Sequence, residues 1–381
     1  MGFELNEEQR LVRDMVRDLA KNEIAPRAAE VDKTEEFPAD NIRKMAELGL
    51  LGLPYPEEVG GGGGDYLSYA IAVEEIARAC GSTALVYAAH VSLGCGPIYN
   101  FGTEMQKQRW LPRLCSGEGL AAFGLTEPEA GSDAGATRTS AVRDGEFYVL
   151  NGSKMWITSG AIADVVNCTA KTDQEAGTRG ISCFLVETGT PGFLPGKNEP
   201  KMGLKGSVTS ALALENCRVP AENLLGREGE GFKQMLITLD AGRISIGAMA
   251  LGLAQAALDE ALRYSKERVQ FGQPIAKFQA IQWMIADMAT EIDAARLMVY
   301  RAAARKDAGL RFTKEAAMAK LFASEVAERA AFKALQIHGG YGYSREYPVE
   351  RIYRDQRLCS IGEGTSEIQR LVIARQVLGK F

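Results

Sequence analysis

Ile361 to Phe381 reads I-G-E-G-T-S-E-I-Q-R-L-V-I-A-R-Q-V-L-G-K-F, and how this stretch folds governs the reading of everything before it. Ile368, Leu371, Val372 and Val377 fall near the spacing of one apolar helical face. Ser366 and Gln369 form an S-x-x-Q capping box, which predicts a helix beginning just after Ser366. Glu363 is thereby left in the preceding loop, between Gly362 and Gly364, where two residues without side chains let other groups come close. An acid in that place is either favourably set near a helix N-terminus or turned toward a neighbouring cavity for chemistry. The stretch alone favours the first reading, and the rest of the chain reverses it.

Working back from the terminal helix, helical periodicity dominates from Pro220 onward. Ile246, Met249 and Leu253 mark a helix over 231–268. Ile281, Met284, Ile285, Met288 and Ile292 mark another from about Lys277, and a third spans roughly 313–337. With the last helix these predict a four-helix bundle over 229–381. Between 121 and 228 the chain turns to short alternating runs, with strands expected at 141–151, 164–171, 181–187 and 210–219. Asp144-Gly145 and Asn151-Gly152 both read as hairpin turns, so a small antiparallel β-barrel is the expected closure. Residues 1–120 are helical by the same criterion, with helices at 6–25, 42–48, 66–79 and within 82–116. The five glycines at 60–64 lack the G-K-[ST] ending of a phosphate loop and read as a flexible turn. The fold class is therefore mainly α with a central β domain.

Composition narrows the function. A net charge of −5 with both signs interspersed argues against a nucleic-acid partner. No uninterrupted apolar run approaches bilayer length, so no membrane association is expected. Seven scattered cysteines, none in a C-x-x-C pair, suit reduced thiols and a cytoplasmic location. His90 and His338 are the only histidines, which leaves little material for a metal site or a Ser-His-Asp triad, and no metal is expected.

Six motifs lie along this helical–β–helical order: F-G-L-T-E-P-E-A-G-S-D at 123–133, W-I-T-S at 156–159, D-A-G-R at 240–243, R-V-Q-F-G at 268–272, Q-I-H-G-G at 336–340 and E-G-T-S-E at 363–367. Together they resemble the acyl-CoA dehydrogenases, over essentially the whole chain. The resemblance implies FAD between the β domain and the C-terminal bundle, an acyl-CoA substrate, and α,β-dehydrogenation to the trans-2-enoyl-CoA. It also implies electron transfer to an electron-transferring flavoprotein and a homotetramer built as a dimer of dimers. Glu363 matches the family's base. The other position used by some members falls at Gly242, which carries no side chain.

By the same resemblance Phe123, Leu125, Thr126, Trp156, Ile157 and Thr158 line the flavin, the two threonines bonding its ring edge and Trp156 packing on it. An ordinary core aromatic is the other reading of Trp156. Ser132 would contact the cofactor side and the CoA arm, or simply cap a turn. Asp240 and Arg243 would lie on the substrate side, or form a solvated i, i+3 ion pair. Arg268, Phe271, Gln279, Gln336, Gly339 and Gly340 would bind the FAD pyrophosphate and adenosine of the neighbouring subunit. A plain helix C-cap explains the two glycines equally well. Thr365 and Glu367 are expected on the cofactor side, and Gly362 and Gly364 on the substrate side.

Taking an α-proton from a thioester with a carboxylate is uphill, so the base must be strengthened by drying and the enolate charge must meet fixed donors. The resemblance supplies the donors: the Glu363 N–H and a ribityl hydroxyl. An unperturbed Glu titrates near ~4.3 and burial can raise it by about 3–5 units. The family usually has an aromatic residue before the catalytic Glu, where this chain has Gly362; the missing ring predicts room for a branched, cyclic or aryl acyl group. Glutaryl-type members carry an Arg whose matching place here falls near Ala84, which argues against a decarboxylating glutaryl enzyme. An oxidase or reductase-direction enzyme of the same fold, and a helical scaffold without chemistry, are the alternatives.

Overall fold

The computed structural model describes residues 4–379. Its first part is helical: α1 (Glu7–Leu19), α2 (Ala28–Thr34), α3 (Ala39–Glu47), α4 (Tyr66–Ala79), α5 (Gly81–Ala88), α6 (Gly96–Phe101) and α7 (Glu104–Cys115). Sequence-local caps start several of them. Asn6 with Gln9 and Thr103 with Gln106 form reciprocal capping boxes, and the Asp65 carboxylate accepts from Ser68 N.

Seven strands follow: β1 (Ala121–Gly124), β2 (Ser140–Asp144), β3 (Phe147–Thr158), β4 (Val165–Lys171), β5 (Ile181–Glu187), β6 (Phe193–Asn198) and β7 (Thr209–Pro220). The order is β1-β4-β2-β3-β7-β6, with β5 on the other side of β4. Two pairings, β1 with β4 and β2 with β4, are parallel, so this curled sheet is mixed rather than purely antiparallel. Asp144 and Gly145 do lead the β2–β3 hairpin. Asn151-Gly152, expected as a second turn, lies inside β3 at a register shift against β7. A Cβ on Gly152 would sit 2.5 Å from the Thr139 hydroxyl, so close approach rather than chain reversal explains that glycine.

The last part comprises α8 (Gly231–Glu267), α9 (Gln279–Asp307), α10 (Thr313–His338), the short α11 (Val349–Asp355) and α12 (Ser366–Leu378). The expected capping box is displaced by one residue. Thr365 is the N-cap, its hydroxyl accepting from Ile368 N, and Ser366 already belongs to the helix. Gln369 turns back to the preceding loop instead.

One apolar core runs from Val16 to Cys359 and joins both helical parts, whereas the sheet encloses a second, smaller core from Ala122 to Val219. The joint is α8, packed against α4, α9 and α10. Its most apolar stretch has a mean hydropathy of 1.4, high enough for a membrane span on composition, but 78% of that stretch is buried inside the protein. Polar contacts cross the same joint. The buried Glu74 of α4 accepts from the Arg296 guanidinium at 2.9 Å and the Tyr300 hydroxyl at 2.7 Å, both on α9.

The glycine run is not a flexible turn. Gly61, Gly62, Gly63 and Gly64 donate to the carbonyls of Pro56, Gly52, Tyr55 and Leu53 at 2.8–3.0 Å. A Cβ on Gly61 would fall on the Tyr55 backbone, far inside contact. Gly61→Ala is expected to destabilise the protein by about 1–3 kcal/mol, the usual cost of overpacking, read as a lower urea midpoint at unchanged slope.

Candidate active site

Glu363 sits between a short 3-10 segment (Gln356–Ser360) and α12, with φ +53, followed by Gly364 at +91. A non-glycine residue in left-handed backbone costs of order 1 kcal/mol and persists only when its surroundings hold it. Two buried side chains do so. Gln369 Nε2 donates to the carbonyls of Glu363 at 3.2 Å and Gly364 at 2.8 Å, and Lys320 Nζ donates to the Gly364 carbonyl at 2.7 Å. Among the described residues the Glu363 amide makes no hydrogen bond, which leaves it free to donate.

The turn sends the carboxylate against α8. A Cβ on Gly242 would coincide with Glu363 Oε2 and stand 3.0 Å from the Leu93 side chain. Oε2 is buried and without a hydrogen-bond partner, although the residue as a whole is partly exposed. Burial pushes the carboxyl up to about 7, outweighing the opposing pull of Lys320 and Arg243. A partly accessible acid with one dry, unpaired oxygen is suited to accept a proton from a ligand.

Arg243 and Asp240 lie one turn apart on α8, 2.6 Å from each other, and Asp240 also accepts from the Thr313 hydroxyl at 2.6 Å. The pair is not solvated: Arg243 is 6% and Asp240 14% exposed at the side chain. Burial raises the acid and lowers the guanidinium. Arg243 Nε is buried with no partner, a spare donor beside the carboxylate.

The second group lies on β1 and β3. Met155 N donates to Thr126 O at 2.9 Å, which brings F-G-L-T-E against K-M-W-I-T. Beneath them Lys154, fully buried, donates to Glu127 Oε1 at 2.7 Å and to the Thr169 hydroxyl at 3.0 Å. Trp156 occupies the irregularity where the β3–β7 register shifts between Lys154 and Ile157, with φ +61. Such a bulge re-aims a side chain. Here the indole is 56% exposed, so Trp156 is not a core aromatic. Phe123, Thr126 and Thr158 are partly exposed beside it, whereas Leu125 and Ile157 are buried and offer only backbone. Ser132 stands exposed in the loop after β1.

A third group surrounds the far ends of α8 and α10. A cavity of about 650 Å³ is lined by Arg268, Tyr264, His338, Gly339, Gly340 and Tyr341, among others. Arg268 makes no ion pair among the described residues, and its guanidinium lies 5.5 Å from the Tyr341 ring. Gly339 caps α10 at φ +58 with nothing within 4 Å of its own or Gly340's missing side chain, so the cap and the open approach are both real. Gln336 and Gln279 are exposed on their helices, and Phe271, 93% exposed, stands out on a left-handed turn. Thr365 is engaged as the α12 cap, and Glu367 is exposed. A separate cleft of about 520 Å³ beside α3 contains none of the expected residues. No cluster able to hold a metal ion occurs among the described residues.

Sequence models of the acyl-CoA dehydrogenase N-terminal, middle and C-terminal domains match residues 6–118, 122–217 and 229–378. The chain belongs to the acyl-CoA dehydrogenase family. It is an oxidoreductase of that family, acting on CH–CH bonds. A Bacillus subtilis protein named probable acyl-CoA dehydrogenase YngJ is 60% identical over 379 residues, covering 99% of this chain and 100% of its own. Among solved structures, the Megasphaera elsdenii butyryl-CoA dehydrogenase is 47% identical with TM-score 0.97, over 99% of this chain and 100% of that one. A chain in a structure of the electron transferring flavoprotein of Acidaminococcus fermentans is 50% identical with TM-score 0.99, over 100% of both chains.

The site residues suit the FAD that the family resemblance implies. An exposed indole beside two threonine hydroxyls could cover a flavin ring, and an unpaired guanidinium beside bare glycines suits a pyrophosphate. Sequence reasoning missed Lys320, Gln369 as a loop anchor, and the Lys154–Glu127 pair. Lys320 had left a signal: it interrupts the buried alanine stripe Ala316, Ala319, Ala323, Ala327 of α10. Gly242→Ala is expected to displace the Glu363 carboxylate and slow acyl-CoA oxidation about 100-fold, the scale of an ångström-size misplacement. Single-turnover kinetics beside unchanged acyl-CoA affinity would check it.

Proposed function

We propose that this chain catalyses FAD-dependent α,β-dehydrogenation of an acyl-CoA, Glu363 removing the α-proton. The observation that carries the reading is the dry, unpaired Oε2 of Glu363, on a carboxyl pushed up to about 7, in a turn that two side chains hold in place. The proton passes to that oxygen, a C–H bond breaks at each of two adjacent carbons, and a carbon–carbon double bond forms. FAD supplies a two-electron acceptor for the hydride of the β-carbon. The Glu363 N–H donates to the thioester oxygen as negative charge gathers there.

Trp156, Thr126 and Thr158 cover and orient the flavin. Arg268, Phe271, Gln279, Gln336, Gly339 and Gly340 serve the cofactor of a second copy; the place of Arg268, Gly339 and Gly340 on a separate cavity at the far ends of α8 and α10, and the exposure of Phe271, Gln279 and Gln336, support this. The assembly is a homotetramer, its electrons pass to an electron-transferring flavoprotein, and it works in the cytoplasm. All seven cysteines are free and buried, as a reducing compartment would allow.

The acyl group is branched, cyclic or aryl. At Gly362 an added Cβ would have Leu358 atoms as its nearest neighbours, at ordinary contact distances of 3.6 Å, which supports room beside the turn where the family usually carries a ring. A decisive test is an anaerobic bleaching screen across straight, branched, cyclic and aryl acyl-CoAs. Bulky substrates should reduce the flavin at least as fast as butyryl-CoA, and a clear preference for butyryl-CoA rejects the assignment. For the base, Glu363→Gln should lower turnover by about 100- to 10,000-fold while the protein stays yellow. Because the base must be ionised, kcat/KM of the wild-type enzyme should rise with pH through a midpoint near about 7. A midpoint near the ordinary carboxylate value would contradict the drying of Glu363.

A further inference from the structure

Lys320 is fully buried on α10, among the alanines that pack against α8. An ammonium carries three donors, yet among the described residues only the Gly364 carbonyl accepts from it, at 2.7 Å. Gln369 already holds that carbonyl with a neutral amide at 2.8 Å, so anchoring the turn does not by itself call for a charge in the core. A buried cation is costly unless something nearby needs its field.

The groups facing the Glu363 carboxylate narrow what that is. From α8 comes Arg243, matched by Asp240 at 2.6 Å. From the segment before the turn comes the Cys359 thiol, which burial pushes up to about 12. From α4 come the phenols of Tyr66 and Tyr69, also raised by burial. From α12 the exposed Glu367 faces Lys320 itself. Neutral thiol and phenols, a matched guanidinium and a solvated acid leave Lys320, bonded to the carbonyl of the residue after Glu363, as the cation without an acid partner of its own among the described residues. Burial pulls its ammonium down to about 8, so it is charged at neutral pH.

We propose that Lys320 is a positioning residue for the base: fastened to the Gly364 carbonyl, its ammonium fixes the reach of the Glu363 turn and keeps the carboxylate ionised in a dry crevice. The inference rests on the reading of Glu363 as the base. Without Lys320 the crevice is just as dry, but the carboxyl holds its proton to higher pH.

The test follows flavin reduction by an excess of acyl-CoA, anaerobically, across pH, in the FAD-loaded enzyme. Lys320→Met should raise the midpoint of the acid limb by about 1–2 pH, the scale of losing one nearby opposite charge. Its kcat at neutral pH should fall while KM changes little. Lys320→Arg, which keeps the charge, should bring the midpoint back toward wild type. Gln369→Leu, which removes an anchor but no charge, should slow reduction without moving the midpoint. Lys320→Gln is a second neutral variant should the methionine not be tolerated. A neutral variant with an unmoved midpoint overturns the proposal, whatever its Tm, as does an arginine variant that shifts like the methionine. Full turnover in Glu363→Gln would remove the base assignment itself. An inactive Glu363→Gln beside an unmoved Lys320→Met midpoint overturns the role of Lys320 alone.

Discussion

A carboxylate pressed into the groove of a long apolar helix, with one oxygen left unbonded, is the constraint around which this molecule is arranged. Water would return Glu363 to an ordinary acid, so the crevice must be dry, and dryness requires that the helices around it share one core. They do: α4 from the N-terminal part and α9 and α10 from the C-terminal part close on α8, and α12 packs in turn on α10. The oxygen can enter only because residue 242 has no side chain. The strain of a left-handed Glu363 is met by hydrogen bonds from α10 and α12 to the carbonyls of its own turn. Fold and carboxylate are coupled through a few atoms.

The β domain solves a different problem. It needs a rigid wall that is apolar on one side and carries polar edges, and it builds this by placing the buried Lys154–Glu127 pair under two segments and a bulge in the outer one. Glu127 also accepts from the amides of Arg138 and Thr139, so the ion pair has its remaining lone pairs satisfied. That is the condition under which a buried pair holds its place rather than weakens the core. The bulge turns Trp156 outward. A regular strand would have alternated it into or away from the sheet, whereas the left-handed residue at the bulge leaves the indole exposed.

Left-handed backbone occurs at Trp156, Phe271 and Glu363, three candidate site residues with side chains that reach outward or into the crevice, and elsewhere at Glu35, Leu204, Asn216 and the buried Ser159. The three lie in different parts of the fold, on β3, on the turn after α8 and before α12. Strain gathers where a side chain must point somewhere regular structure would not send it.

Periodicity and local capping were legible in the sequence. The long helices from Gly231 onward, the β5 strand and the Asp144-Gly145 hairpin came from spacing and turn chemistry, which act between residues close along the chain. The motifs carried the family. What the sequence left undetermined depended on contacts between distant segments. Thr365 rather than Ser366 caps α12, Asn151-Gly152 bends no chain, and the glycines at 60–64 pack tightly because the Tyr55 backbone lies against them. The pairing of β1 with β4, the single core shared by both helical parts, and the burial of Asp240 with Arg243 belong to the same class. So does Lys320: its composition marks it as a surface residue, and only the approach of α10 to the turn before α12 gives its charge an acceptor and a carboxylate to act on. Short-range geometry is written residue by residue, whereas dryness and field are properties of what the folded chain brings together.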